Sequence, residues 1–423
     1  MKKIRVIKKL ILVLILLLFA FKFMQIIDDF AYAYARTSHV DIPPSHYTNY
    51  TRNPSINDNS SSSINQNIED ILNNINNGEL NDLFNDLNEA GLRVFDNRTF
   101  MDTMRAIIAG EDIGSFNTIF GFLISLFFGD LTRMLPFILA ILGICAAFSI
   151  ISSIKGGFSS ESVENVIRFA CVSLISIILF TQIIGIISST ASVINSLTGQ
   201  INTVFPIILT MMAASGAVST AASYTPAVAI LGQILTTIIV TIALPVFILA
   251  VVFDVIGNLS DTVRLKKLSS FFSSTLKWVM GTAFFVFIAF LSVRGITASV
   301  RDSISLRTAR FAINNYVPII GGYLSEGMHL VMSGSTIVKN TVGFTAILLL
   351  LATIAPLIVN IMVLSLSLSL LGAIVEPFNL KGVSCILTGV SKSLKSLLAI
   401  MLGISFLYFV FLMLTISTGN ILI

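Results

Sequence analysis

The chain has 423 residues, 55% hydrophobic and only 11% charged, with 26 Lys and Arg against 22 Asp and Glu for a formal net charge of +4. So little polar surface excludes a water-soluble globular fold, and from about Met134 to Ile423 the apolar residues fall in runs long enough to cross a bilayer. The expected fold is therefore all-α: a polytopic helical membrane protein with about six or seven transmembrane helices, broken or re-entrant segments, and a small extracytoplasmic helical region.

Residues 1–35 have the order of a signal peptide. Lys2, Lys3, Arg5, Lys8 and Lys9 precede the apolar run Leu10 to Ala20, and Ala31 to Ala35 offers small residues at A-x-A spacing. A retained N-terminal membrane anchor is the alternative, and both deliver the next segment of chain outside the cytoplasm. Residues 36–63 hold Pro43-Pro44, Pro54 and four consecutive Ser, too little apolar surface to offset ordering entropy, and are expected to be a disordered Asn/Ser-rich tether. Over 64–132, apolar residues recur at helical spacing in three short amphipathic segments: Ile64 to Ile75, Leu80 to Leu87, and Phe100, Met104, Ile107 and Ile108 ending near Gly110.

Residues 133–423 form the multi-pass domain. The expected spans are Met134 to Lys155, Phe169 to Ile187, Ala227 to Phe253, Trp278 to Val293, Thr341 to Val375 and Leu397 to Ile416. Ser188 to Phe205, without a charged residue, reads as an external loop. Met211 to Ser223, rich in small residues and followed by Pro226, reads as a broken or re-entrant segment. Pro356 makes the fifth run either one long kinked helix or two shorter ones. On this count Lys155, Arg264, Lys266, Lys267, Lys277, Lys381, Lys392 and Lys395 face the cytoplasm, as the distribution of Lys and Arg requires.

The amphipathic connecting stretch 294–340 breaks the pattern. It carries Arg294, Arg301, Asp302, Arg307, Arg310, Glu326 and Lys339 among apolar residues that share a helix face, then a sharp reversal at Pro318, Gly321 and Gly322. One reading is a helix lying in the membrane interface with snorkelling Arg; the other is a protein-lined or watery vestibule. Asp254 and Glu376 end apolar runs and read as interfacial residues.

The motifs of enzyme chemistry are absent from the sequence. Two of the three His, His39 and His46, sit in the tether, and there is no H-E-x-x-H, Walker or nucleophile-elbow motif. The three Cys lie in or beside apolar runs without metal or disulfide spacing. No basic stripe with interleaved aromatics supports nucleic-acid binding. Neither an enzyme, a cofactor nor a metal is expected, which leaves a transporter, a channel subunit or a structural membrane anchor.

The stretch Asp302 to Gly322, DSISLRTARFAINNYVPIIGG, resembles the stage III sporulation protein AE family of endospore-forming bacteria, as do Lys277-Trp278 with Gly281, Lys339-Asn340 with Gly343, Pro356 and Glu376-Pro377. The resemblance implies a subunit of the sporulation A-Q complex between mother cell and forespore, in the mother-cell membrane surrounding the forespore. It implies as partners the other stage III sporulation A subunits, among them ring-forming membrane proteins and a cytoplasmic secretion-type ATPase, with a forespore-side protein and the lipid bilayer, and no nucleic acid. The candidate functional or packing residues are Asp302, Arg307, Arg310, Pro318, Gly321, Gly322, Lys339, Asn340, Pro356, Glu376 and Pro377. A stand-alone secondary transporter and a purely structural scaffold are the competing expectations.

Overall fold

A computed structural model describes residues 68, 98–111, 116–153, 161–259, 266–316, 321–378 and 380–418. The expected signal segment, the tether, most of the first two amphipathic segments and Pro318 lie outside the described residues.

Helix α1, Phe100–Ile108, is the third amphipathic segment. Thr99 and Asp102 form a capping box, with the Asp102 amide donating to the Thr99 hydroxyl, and Phe100, Met104 and Ile107 are buried as their spacing requires. α2, Phe116–Ser153, starts well before Met134 and passes residue 133 without a break.

The clearest departure from expectation is α3, Glu161–Ala214, one 54-residue helix that continues through the segment expected to be a loop, Ser188 to Phe205. Its polar residues are satisfied without leaving the helix. The hydroxyls of Thr190, Thr198 and Thr203 donate to the carbonyls one turn back, and Gln200 and Thr198 reach Thr353 and Thr236 on other helices. Polarity that reads as a loop is consumed in helix pairing.

The break expected in Met211 to Ser223 is present and narrow. α3 ends in a Schellman turn: the Ala217 amide donates to the Met212 carbonyl and the Gly216 amide to that of Ala213, with Gly216 at φ 93°. α4, Val218–Ala229, follows at once, holds Pro226 internally, and runs through two π-helical turns, Ile230–Leu235 and Ile238–Ala243, into α5, Leu244–Leu259. α6, Lys266–Tyr316, joins the expected fourth span and the start of the anomalous stretch in one helix of 51 residues. α7, Gly321–Val375, likewise passes Pro356 undivided; a 3₁₀ turn, Glu376–Phe378, leads to α8, Lys381–Ser417.

Among the described residues there is no strand, and six helical stretches are long and apolar enough to cross a membrane. The most apolar window of α7 is 72% buried, against 17% for α6, so α7 is the central helix and α6 lies outside it. A helix apolar all round belongs in such a centre. α8 packs closest to α7 through small residues. Ser365 and Ser391 exchange hydroxyl-to-carbonyl hydrogen bonds at 3.1 and 2.8 Å, and Ser384 donates to the Gly372 carbonyl at 2.7 Å. With no water to drive helices together, such close backbone approach and interhelical hydrogen bonding supply the cohesion.

Candidate functional site at the α3–α4 corner

Two of the sequence-nominated charged residues converge on the same corner of the bundle. The N-cap of α4 is Ala217, whose side chain cannot accept a hydrogen bond, so the first amides of α4 need an acceptor from elsewhere. Asp302 of α6 provides it. Its Oδ1 accepts from the Ser219 amide at 2.8 Å, and its Oδ2 accepts from the Thr220 amide at 2.8 Å and the Thr220 hydroxyl at 2.6 Å. Asp302 is thus an N-cap supplied by another helix, a negative charge placed where the α4 dipole favours it. Burial pushes its carboxyl up, but the Thr220 hydroxyl and the Ser219 and Thr220 amides outweigh that and hold it below the ordinary carboxylate range.

Lys339 mirrors this at a helix C-terminus. Fully buried on α7, it donates from Nζ to the carbonyl of Thr418, the C-cap of α8, at 2.9 Å. A cation there satisfies a carbonyl with no intrahelical partner and opposes the negative end of the helix. The Thr418 hydroxyl bonds back to the Leu414 carbonyl, and the ring of Tyr224, one turn along α4 from the residues that Asp302 caps, meets Phe411 of α8 edge-on. α4 is therefore held at its first turn by α6 and one turn later by α8, itself capped from α7.

Beneath these caps lies an aromatic cluster from four helices. Phe411 of α8 stacks on Phe205 of α3 with centroids 4.4 Å apart, and meets Tyr224 of α4 and Phe287 of α6 edge-on at 5.9 and 6.1 Å. All are buried. Aromatic pairs of this geometry add roughly 0.5 to 1.5 kcal/mol each beyond burial.

The remaining nominated residues do not join the corner. Arg307 is exposed on α6, and Arg310 belongs to the same helix, its side chain outside the described residues. Gly321 and Gly322 open α7, so a helix start follows the expected reversal. Asn340 is half-buried beside Lys339, with an Oδ1 that finds no hydrogen-bond partner among the described residues. Pro356 is internal to α7. Glu376 and Pro377 are exposed in the 3₁₀ turn at its far end, 37 residues or about 55 Å of helix from Lys339.

Residues that the sequence did not single out complete the picture. Thr220, Tyr224 and Thr418 are ordinary residues whose role appears only when helices meet; the unusual small-residue run before Pro226 was the available signal. At the opposite end, Asp254 of α5, which the sequence suggested to be interfacial, is instead buried, its carboxylate seated directly against Gly389 of α8, where an added Cβ would collide with it. No group of three or more His, Cys, Asp or Glu among the described residues could hold a metal. The chemistry on view at the corner is hydrogen bonding and charge complementarity between helices.

The family model for stage III sporulation protein AE matches residues 98–419, the span that holds every described helix. A curated relative, stage III sporulation protein AE of Bacillus subtilis strain 168, is 25% identical over 273 residues, covering 64% of this chain and 68% of its own. No solved structure matches.

Proposed function

The chain belongs to the stage III sporulation protein AE family, and from that premise we propose that it is a non-enzymatic integral membrane subunit of the channel or transport complex between mother cell and forespore, required for endospore formation after engulfment. The observation that carries this reading is the extent of the family match: it covers the whole helical bundle rather than one motif within it. The proposed partners are the other stage III sporulation A subunits, including ring-forming membrane proteins and a cytoplasmic secretion-type ATPase, together with a forespore-side protein; the proposed location is the mother-cell membrane surrounding the forespore.

The proposed topology follows from six crossings. With residues 98–111 outside the cytoplasm, Lys155, Arg264, Lys266, Lys267 and Lys381 fall in or beside cytoplasmic turns, and the α3–α4 corner, Asp302 and Thr418 fall at the outer end. Contacts of Phe284 with Gly403, Phe287 with Phe411 and Gly343 with Ile416 set α6, α7 and α8 in register. Lys277 and Arg294 of α6 then bracket about 26 Å of helix, close to the ~30 Å hydrocarbon thickness.

A secondary transporter uses helices broken at the binding site, and the α3–α4 corner is one such break. It lies at an end of the bundle, and Pro356, a candidate counterpart, leaves α7 unbroken. This favours the subunit reading. Deleting the gene should arrest sporulation after engulfment, and the tagged protein should co-purify with other stage III sporulation A subunits. Normal spore yield from the deletion, or solute flux from the protein alone in vesicles, would favour a different function.

A further inference from the structure

Beyond Arg294, α6 continues as an arm whose two sides differ. Asp302 faces inward and is buried against α4. At 3.6 residues per turn, Ile304, Arg307, Thr308 and Phe311 lie about 200°, 140°, 240° and 180° around the helix from Asp302, and so form one stripe on the opposite side. All four are exposed, Ile304 at 62% and Phe311 at 65%. Within the span, the exposed Leu268 and Val286 lie at about 200° from Asp302 and so on the same line as the stripe.

Height separates the two parts of that face. Counting from Arg294, the outer end of the proposed crossing, Ile304 stands about 15 Å and Phe311 about 26 Å further along the helix. On the proposed placement of the bundle, lipid tails cover Phe285 and stop short of Phe311. The arm is also unbalanced in charge. From Arg294 to Tyr316 it carries Arg294, Arg301, Arg307 and Arg310 against the single acid Asp302, both of whose oxygens are engaged by α4. An apolar stripe on an arm whose sequence holds four Arg against one Asp, with the exposed Arg307 within the stripe and the arm held at a fixed angle by a buried cap, is complementary to an apolar stripe flanked by carboxylates.

We infer that the exposed face of the α6 arm, formed by Ile304, Arg307, Thr308 and Phe311, is a docking surface for an acidic amphipathic segment of another protein subunit outside the membrane. The inference rests on the proposed role in a multi-subunit assembly and names the surface through which that assembly is made. Arg307, between the two apolar anchors, pairs with a partner carboxylate, and its fork geometry makes Lys a poor replacement.

The test uses the full-length chain expressed from its own locus, with the photo-cross-linking residue p-benzoylphenylalanine at Phe311. The expected result is an adduct with one protein, reduced at least about tenfold by Arg307→Glu and by Arg307→Lys at unchanged membrane levels, as for a lost interfacial charge pair. Changing an Asp or Glu of that protein to Lys should restore the adduct to Arg307→Glu. Adducts to lipid alone, to a second copy of this chain, or to a protein whose capture ignores Arg307 would overturn the inference. So would full retention by Arg307→Lys, which an anionic lipid surface accepts as readily as Arg. Normal spore yield from Arg307→Glu, when deletion of the gene arrests sporulation, would remove the docking surface and leave the proposed function standing; normal yield from the deletion would remove the function itself.

Discussion

Asp302 and Lys339 read in the sequence as charges beside membrane helices, a pattern that usually marks transport or signalling chemistry. Their neighbours show a different role, in which each ends a helix that cannot end itself. Asp302→Ala therefore does more than remove a charge, because it also strands the Ser219 and Thr220 amides. We expect Asp302→Asn to lower stability by about 1 to 2 kcal/mol at pH 7, the cost of weakening an N-cap, and Asp302→Ala by somewhat more. The pH dependence has a definite sign. A carboxyl held below its unfolded pKa stabilises the fold fully above about pH 4 and loses that contribution as pH falls through its folded pKa. Thermal unfolding of the purified protein in detergent should show wild type and Asp302→Asn converging below about pH 4. A gap that persists at acid pH would mean that the carboxylate is not what holds α4.

Among elements, the α3–α4 corner and the α5–α8 contact need glycine for different reasons. Gly216 sits at φ 93°, where a side chain is strained, so Gly216→Ala should destabilise by roughly 1 to 2 kcal/mol. Gly199, inside α3 with open space around it, should respond to the same substitution with a gain of about 0.5 to 1 kcal/mol. Gly389→Ala drives a methyl into the Asp254 carboxylate, a buried overpacking worth about 1 to 3 kcal/mol, and melting curves of the three variants would rank these effects. Equal shifts for Gly216→Ala and Gly199→Ala would refute the turn geometry. The sequence made part of this legible. The break near Gly216 was visible because small residues and Pro226 interrupt an apolar run, and the long apolar stretches announced the spans. The continuation of α3 through Ser188 to Phe205 was not visible, because the partners that satisfy Gln200 and Thr198 are Thr353 and Thr236, far along the chain. Nor could one sequence show that Asp302 and the broken segment, two separate anomalies, answer each other in space.

At the scale of the molecule, burial sorts the helices into a centre and a periphery. α7 and α8 pack together through serine and glycine, while α2 and α6 turn large apolar side chains outward, the distribution expected when lipid is the outer solvent. The proposed six crossings put residues 98–111 and Thr418 on one side, and the turn between α7 and α8 on the other. A native probe already stands at that turn. Cys385, near the start of α8, is exposed, whereas Cys145 and Cys171 are buried. An impermeant maleimide added to intact cells, freed of wall but not permeabilised, should leave the wild-type protein unlabelled, and should label it after permeabilisation. Replacing Cys385 by Ser should abolish that labelling, since the other two thiols are enclosed. In the Cys385→Ser background, Thr308→Cys on the exposed face of the α6 arm should react from outside without permeabilisation. Labelling of Cys385 from outside would invert the bundle and place the α3–α4 corner on the cytoplasmic side. Labelling of Cys385 and Thr308→Cys from the same side would break the six-crossing order itself, because α6 and α7 set those residues at opposite ends.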